Sequence, residues 1–315
     1  YEMLRSLVGS EMCIRDSDYA KRVINSPYHL YTGATVNGWT AYQQLFMGDN
    51  GENGASVEAV FPVLQDGKRT AAYGGTVFLI NACYDKTATV NSNGTAGCNL
   101  YENANWAGVR ARKDLIDKFF PNNNAPSVTG AVMPHEAGDD RALFDGVGRT
   151  ITQNTSADLS VFTKGFAVVK YNNFYSTGAS AKDLRYADTD FFMFRVAEAY
   201  LTYAEATARL NGGQTTTEGT DLINKLHIRA HAAPRTTGAY TLNDILNEWC
   251  KEFYFEGRRR VDLIRFNKFG GNVNYNWAWK GGERNGRNFA AIRNVFAIPN
   301  SDMIVNHNLK QNPGY

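Results

Sequence analysis

The sequence predicts a mainly α-helical fold in which tetratricopeptide-like helical hairpins carry a large irregular, loop-rich insertion. From residue 191 to 266, apolar residues recur at helical spacing in successive segments that Gly- or Pro-containing turns separate. From 28 to 190, this spacing gives way to glycine, asparagine, threonine and aromatic residues. Stacked helical pairs bury their apolar faces against neighbouring pairs, but the repeat period is irregular, so spacing alone leaves the class of repeat open.

The first helix of this region is predicted over residues 191–210. Its polar residues form one narrow stripe, because they follow one another at intervals of three or four. They are Arg195, Glu198, Thr202, Glu205 and Arg209. The other residues are apolar or small, which predicts a helix packed on at least two sides. The Asn-Gly-Gly sequence at 211–213 ends it, because glycine accepts the left-handed conformation of a C-terminal cap.

Three shorter helices are predicted after the first. The second covers residues 220–230. The third begins after Thr241, which forms a variant of the N-terminal capping box with Asp244. Gly257 ends the third helix, and residues 258–266 form a short fourth one. The apolar positions of the second and third helices are Leu222, Ile223, Leu226, Ile245, Leu246, Trp249 and Phe253.

The loop-rich region contains fewer regular elements. Residues 56–64 and 76–81 are predicted to be short strands or buried loop segments, and periodicity does not distinguish the two. Residues 109–120 form an amphipathic helix that Pro121 ends. Residues 161–171 have the β-branched and aromatic content of a strand or an extended core segment.

The chain resembles the SusD/RagB family in four ordered motifs. These are RVAEAYLTYAEA at 195–206, INKLHIRA at 223–230, EFYFEGRRRVDLIR at 252–265, and a closing segment at 296–315 that contains an Ile-Pro pair and ends in QNPGY. The resemblance is strong over the last 125 residues and looser over 18–190. Its motifs are long and occur in the family's order, so they identify the chain as a member.

The resemblance implies a non-catalytic, lipid-anchored binding protein on the surface of the Bacteroidetes outer membrane. Such proteins capture oligosaccharides for polysaccharide utilisation and pass them to a SusC-like TonB-dependent transporter, without a cofactor. By this resemblance the helical hairpins face the transporter and the aromatic loops hold the glycan. Family members are typically much longer, so we expect the N-terminal repeats, the export signal and the lipid anchor to be missing from this chain.

The N-terminal segment differs in character from the rest. Residues 1–17 resemble a translated sequencing adapter, and we exclude them from the fold as a non-native scar. Residues 18–26 have the pattern of the end of a helix. We therefore expect one SusD-like domain over 18–315, with a ligand-binding region at 18–190 and a helical-repeat region and C-terminal tail at 191–315.

The composition and net charge of the chain argue against some classes of function. The chain has 315 residues, 20% of them charged, and a net charge of +2, which argues against a nucleic-acid partner because such proteins carry a concentrated basic excess. No run of about 18 apolar residues predicts a transmembrane helix. Cys83 and Cys98 are the one plausible disulfide pair, and the sequence leaves their pairing open.

Aromatic residues in loops are the candidate ligand contacts, because sugars stack their C–H faces on exposed rings. The predicted ligand-binding residues are Trp39, Tyr101, Trp106, Tyr275, Trp277 and Trp279. Tyr42 and Tyr84 are further candidate stacking platforms. Trp106 precedes an amphipathic helix and has an alternative role as a core residue. Trp277 and Trp279 alternate in a loop rich in glycine and asparagine, so at least one of them should be exposed.

A charged constellation near the end of the helical region is predicted to be structural. It comprises Glu256, Arg258, Asp262 and Arg265. Helical spacing places Arg258 one turn from Asp262. The resemblance implies a buried or partly buried ion network that joins the last helices, rather than an active site.

The sequence gives little support for a metal site or a catalytic site. The acidic loop at 49–53 lacks the spacing of an EF-hand, so a turn explains it better than calcium. His227 and His231 have the spacing of a zinc pair but no glutamate motif between them, and we interpret them as surface residues. A glycoside hydrolase needs two separated carboxylates, for which the adjacent Asp139 and Asp140 are poor candidates. A helical scaffold that binds only protein is the other alternative.

Overall fold

A computed structural model describes residues 2–91, 93–100, 106–126 and 136–315, with side chains from residue 11 onward. The helices are α1 (Glu2–Ile24), α2 (Ala41–Gln44), α3 (Gly75–Asn81), α4 (Lys113–Ile116), α5 (Val196–Leu210), α6 (Thr217–Arg229), α7 (Leu242–Phe253), α8 (Arg259–Arg265) and α9 (Asn300–Val305). The strands are β1 (Ala59–Val63), β2 (Arg110–Ala111), β3 (Phe144–Asp145), β4 (Phe166–Val168) and β5 (Phe191–Arg195). The predicted mainly α-helical fold is confirmed.

Helix α5 is the centre of the helical region. It packs against α1, α6 and α7, which confirms that it is covered on more than one side. The side chains between these helices form one apolar core, which includes Val196, Leu201, Leu222, Ile223, Leu226, Ile245 and Trp249. Helix α1 ends at Ile24, which confirms that residues 18–26 contain the end of a helix.

The predicted capping box at the start of α7 is confirmed. The Thr241 hydroxyl accepts a hydrogen bond from the Asp244 backbone N–H at 3.2 Å, and the Thr241 N–H donates to the Asp244 carboxylate at 2.9 Å. These bonds satisfy backbone donors that the helix leaves unpaired at its first turn. Helix α7 is important for the next subsection's two features, because it contributes side chains to both the cleft and the buried ion network.

The predicted start of the first helix was wrong by five residues. Residues 191–195 form β5, which pairs antiparallel with β1 so that Phe191 faces Val63 and Arg195 faces Ala59. The run Phe-Phe-Met-Phe has high strand propensity, and a partner strand is available in the loop-rich region. Arg195 therefore has extended backbone angles, and the helix begins at Val196.

The loop-rich region is held by a small sheet in the order β2-β4-β3. The central strand β4 lies within the predicted extended segment at 161–171 and is fully buried. The helix predicted over 109–120 is shorter than expected. Pairing with β4 keeps Arg110 and Ala111 extended, so only α4 and one turn of 3-10 helix at Asp117–Phe119 follow.

The segment at 76–81 is a helix, neither of the two structures predicted for it. Helix α3 buries Thr76, Val77, Ile80 and Asn81, which lie on one helical face. Its β-branched residues favour a strand, but burial against the surrounding core outweighs this weak local preference. Among the described residues, none of the helices is both long enough and apolar enough to cross a membrane.

The candidate ligand cleft and the buried ion network

An open cleft of about 520 Å³ lies where the loop-rich region meets the end of α7 and the start of α8. Tyr275 and Trp277 form its aromatic wall, and both rings are partly exposed. Phe255 and Leu115 add apolar surface, and Arg259 is among the polar groups at its edge. Ligand sites in proteins are concave, largely apolar and supplied with a few polar groups, and this cleft has that character.

The aromatic loop, residues 275–279, is attached to the walls of the cleft by polar contacts. The Ala278 N–H donates to the Asp114 carboxylate at 3.1 Å, and the Arg112 guanidinium donates to the Ala278 carbonyl at 3.3 Å. Arg259 donates to the Tyr275 hydroxyl at 3.0 Å. These bonds hold the loop against α4 and α8, so the rings are oriented before any ligand arrives.

A buried ammonium group supports the loop from below. Lys280 is 1% exposed, and its Nζ donates to the Tyr275 carbonyl at 2.8 Å and the Phe269 carbonyl at 3.3 Å. The same Nζ lies 4.8 Å from the centroid of the Trp277 ring, a distance that permits a cation–π contact. One face of Trp277 is therefore occupied by the protein, and the cleft borders the ring on another side.

The two tryptophans of the aromatic loop lie in different surroundings. Trp277 lines the cleft, whereas Trp279 donates its ring N–H to the Gln153 carbonyl at 3.3 Å and does not line the cleft. Trp279 also has a left-handed backbone conformation, with φ of 66°.

Among the described residues, the other predicted ligand contacts do not line the cleft. Trp106 is 44% exposed and packs against Phe78, which is 50% exposed, with ring centroids 5.9 Å apart. Trp39 is only 4% exposed and packs against Phe174, so its ring faces are not available to a ligand in this structure. The further candidates Tyr42 and Tyr84 are fully buried. Tyr101 lies outside the described residues.

Behind the cleft, Glu252 is surrounded by three buried guanidinium groups. Its carboxylate lies 2.6 Å from Arg195 and 3.4 Å from Arg141, and it accepts a third short bond from Arg229. Burial alone would raise the pKa of Glu252, but the positive charges of Arg229, Arg195 and Arg141 outweigh that cost and hold the pKa far below its usual range. Glu252 is therefore ionised at neutral pH.

The ion network extends from Glu252 in both directions. Arg195 also pairs with Glu58 and Glu256, each at 2.9 Å, and Lys170 pairs with Glu256 at 2.6 Å. The side chains of these residues are almost completely buried. Glu58, Arg141 and Lys170 come from the loop-rich region. Arg195, Arg229, Glu252 and Glu256 come from β5, α6 and the α7 segment. The network thus joins the two regions.

The four charged residues predicted as one constellation lie in two places. Glu256 belongs to the network around Glu252. Arg258 pairs with Glu198 on α5 rather than with Asp262. Asp262 lies 2.9 Å from Arg265, which also donates to Glu205 on α5 at 2.9 Å. The second group therefore links α8 to α5.

Comparison with known proteins identifies the family. The model of the SusD family matches residues 143–315, more than half of the chain. The chain belongs to the SusD family. The starch-binding protein SusD of Bacteroides thetaiotaomicron is 37% identical over 327 residues, which cover 95% of this chain and 55% of that relative.

Solved structures of SusD-like proteins share the fold of this family member. Surface glycan-binding protein A from Bacteroides uniformis aligns with a TM-score of 0.61 and 19% identity over 99% of this chain and 58% of its own. The protein of the same name from Bacteroides thetaiotaomicron, in complex with laminarihexaose, aligns with a TM-score of 0.52 and 21% identity over 96% of this chain and 61% of its own. The chain spans little more than half the length of these relatives.

The interpretation of His227 as a surface residue was wrong. In this SusD-family chain its ring is buried, with Nε2 3.0 Å from the Glu248 carboxylate. His231 is exposed and lies 2.7 Å from Asp140. Asp139 binds Arg141 at 2.7 Å, so each of the two adjacent aspartates has its own basic partner. His227 is buried because it lies on the inner face of α6, which also carries Leu222, Ile223 and Leu226.

The structure also shows the surroundings of the acidic loop at 49–53 and of the two candidate disulfide cysteines. The Glu52 and Asn53 backbone N–H groups donate to the Asp49 carbonyl, each at 2.8 Å, as expected of a turn. The Asp49 carboxylate accepts bonds from the Ser176 N–H at 2.8 Å and hydroxyl at 2.7 Å. Within the described part of the chain, no three His, Cys, Asp or Glu side chains are grouped as metal ligands would be. Cys83 and Cys98 are buried and form no disulfide with each other, and burial raises the pKa of the Cys83 thiol to about 12.

Replacement of Asp262 by alanine is expected to lower the free energy of unfolding by about 1–3 kcal/mol, because it leaves Arg265 with one carboxylate partner fewer. The effect is moderate because Arg265 remains one-third exposed. Urea denaturation measures it. The same change at exposed Asp302 serves as the control and should have almost no effect. Unfolding of Asp262→Ala at the wild-type urea concentration would contradict the structural role.

Proposed function

We propose that this chain is part of a non-catalytic surface protein that binds oligosaccharides and delivers them to a SusC-like TonB-dependent outer membrane transporter. The observation that carries the proposal is the cleft beside Tyr275 and Trp277 in a member of the SusD family. The relatives support it: one is named for starch binding, and another was solved with laminarihexaose.

The chemistry of the cleft suits a sugar. A pyranose ring can lay its C–H face on Trp277 or Tyr275, and its hydroxyl groups can bond to nearby side chains. Lys118 and Asn276 are available for this, because neither side chain makes a hydrogen bond or ion pair with the described residues. The exposed pair of Trp106 and Phe78 is proposed as a separate contact surface.

Catalysis is not part of the proposal, because the carboxylates of the cleft are engaged in structural bonds. Asp114 accepts the Ala278 N–H, and Asp117 accepts the Ala125 N–H at 2.9 Å and pairs with Lys113 at 2.6 Å. A glycoside hydrolase needs one carboxyl group to give up a proton and another to act as base or nucleophile at the scissile bond.

The proposed domain organisation and cellular location are based on membership of the SusD family. We propose one SusD-like domain over residues 18–315, in a protein that an N-terminal lipid anchor holds at the cell surface. The loop-rich region and the aromatic loop would carry the ligand, and the helical hairpins would face the transporter. Copurification of a tagged full-length protein with the outer membrane channel would test this arrangement.

Titration with a panel of malto-oligosaccharides and laminari-oligosaccharides tests the binding function. We expect saturable binding of at least one series by isothermal calorimetry, and intact ligand when the mixture is analysed chromatographically after prolonged incubation. Reproducible cleavage would contradict the non-catalytic role. Absence of binding across the panel, together with retained binding to the transporter, would instead favour a scaffold that binds only protein.

A further inference from the structure

We infer that the cleft continues past Lys118 into a second binding pocket, and that the two together form an extended groove for an oligosaccharide of several units. This inference rests on the proposed function. The second pocket has a volume of about 300 Å³ and is lined by side chains of α7 and of the α6–α7 connection. Lys118 lines both pockets, so they are neighbours on one surface.

Helix α7 and the residue that follows it provide a continuous floor for the groove. Asp244, Asn247 and Lys251 line the second pocket, and Tyr254 lines the cleft. These residues follow one another at intervals of three, four and three, which places them in one row along a helical face. Ten residues at helical rise span about 15 Å, which is longer than one sugar ring needs.

The two halves of the groove differ in chemistry. The cleft presents the rings of Tyr275 and Trp277, which suits the apolar face of a sugar. The second pocket is mainly polar, with Arg235, Asn247 and Lys251 among its lining residues. Polar side chains of this kind form hydrogen bonds with hydroxyl groups. An oligosaccharide with one sugar stacked on Trp277 would therefore place its next sugars in the second pocket, where they form such bonds.

Two of the described side chains that line the second pocket have free hydrogen-bonding capacity. Asn247 is partly exposed, and its amide makes no hydrogen bond with the described residues. Lys118 is likewise partly exposed, and its ammonium group has no partner among them. The other polar groups are partly committed: Arg235 pairs with Asp244 at 3.3 Å, and Lys251 pairs with Glu248 at 3.1 Å. Asn247 is therefore the residue we assign to the second subsite.

The inference predicts that affinity depends on ligand length and that this dependence requires Asn247. Calorimetric titrations would compare maltotriose with maltoheptaose, and laminaritriose with laminarihexaose. In the series that binds, the wild-type protein should bind the longer ligand about tenfold more tightly. Asn247→Ala should weaken the longer ligand by about five- to tenfold and leave the short one unchanged, because only the longer chain reaches the second pocket.

Asn243 provides the matched control, because it is an exposed asparagine on α7 that does not line the groove. Asn243→Ala should bind both ligands as the wild type does. Equal wild-type affinity for short and long ligands would overturn the extended groove while leaving the binding function intact. Equal weakening of both ligands by Asn247→Ala would also overturn it. No binding of any ligand would contradict the proposed function itself.

Discussion

Replacement of Glu252 by glutamine is expected to destabilise the folded chain by about 3–5 kcal/mol, the largest effect that the structure predicts. Glutamine has nearly the same shape, so no cavity forms. The change removes the negative charge that Arg141, Arg195 and Arg229 share, and it leaves buried guanidinium groups with insufficient compensation. Urea denaturation followed by circular dichroism measures the loss.

Glu283 supplies the control for this experiment. Its side chain is 61% exposed and lies 3.7 Å from Arg287, so Glu283→Gln should change the stability by less than about 1 kcal/mol. A Glu252→Gln protein with the stability of this control would show that the buried ion network does not hold the two regions together.

The loss of stability caused by Glu252→Gln should also depend on pH. Because the folded-state pKa lies below the ordinary value of 4.5, the contribution of Glu252 is complete above pH 4.5 and is lost as pH falls towards the folded pKa. The difference in stability between wild type and Glu252→Gln should therefore shrink below pH 4.5. A constant difference down to pH 3 would contradict the assigned ionisation.

Replacement of Trp277 by alanine is expected to weaken oligosaccharide binding by about 10- to 100-fold, the range typical of a central aromatic contact. The indole forms part of the cleft wall, and the buried ammonium of Lys280 supports it. Because the ring is partly exposed, its loss should lower the melting temperature only slightly. Calorimetric titration with the ligand selected from the panel measures the affinity.

Trp279 is the matched control for Trp277. It is the same residue type two positions along the same loop, but its ring does not line the cleft. Trp279→Ala should therefore reduce affinity much less than Trp277→Ala. An affinity that falls equally in both variants would indicate general loss of the loop structure, and an affinity unchanged in both would place the ligand elsewhere.

Helical spacing predicted the helical region well, because its helices bury continuous apolar faces. The capping box at Thr241 was predictable for the same reason, since both partners lie within one helical turn. The strand at 191–195 was not, because it depends on β1, which lies more than a hundred residues earlier in the chain. The residues at 191–195 do not by themselves indicate which distant segment they pair with.

The sites were less predictable than the fold. Tyr275 and Trp277 could be selected because aromatic residues stand out in a loop rich in glycine and asparagine. The ion network was anticipated only in part. Glu256 was selected, but Glu58 and Arg229 are 171 residues apart and meet only in the folded chain. Lys170 offered one signal, since a lysine next to the apolar strand β4 needs a buried anion.

The decisive measurement is a crystal structure of this chain with the most tightly bound oligosaccharide of the panel. We expect a sugar ring against Trp277 and Tyr275, with the glycan extending past Lys118 and with every glycosidic bond intact. An oligosaccharide bound away from this cleft, with the cleft empty, would contradict it.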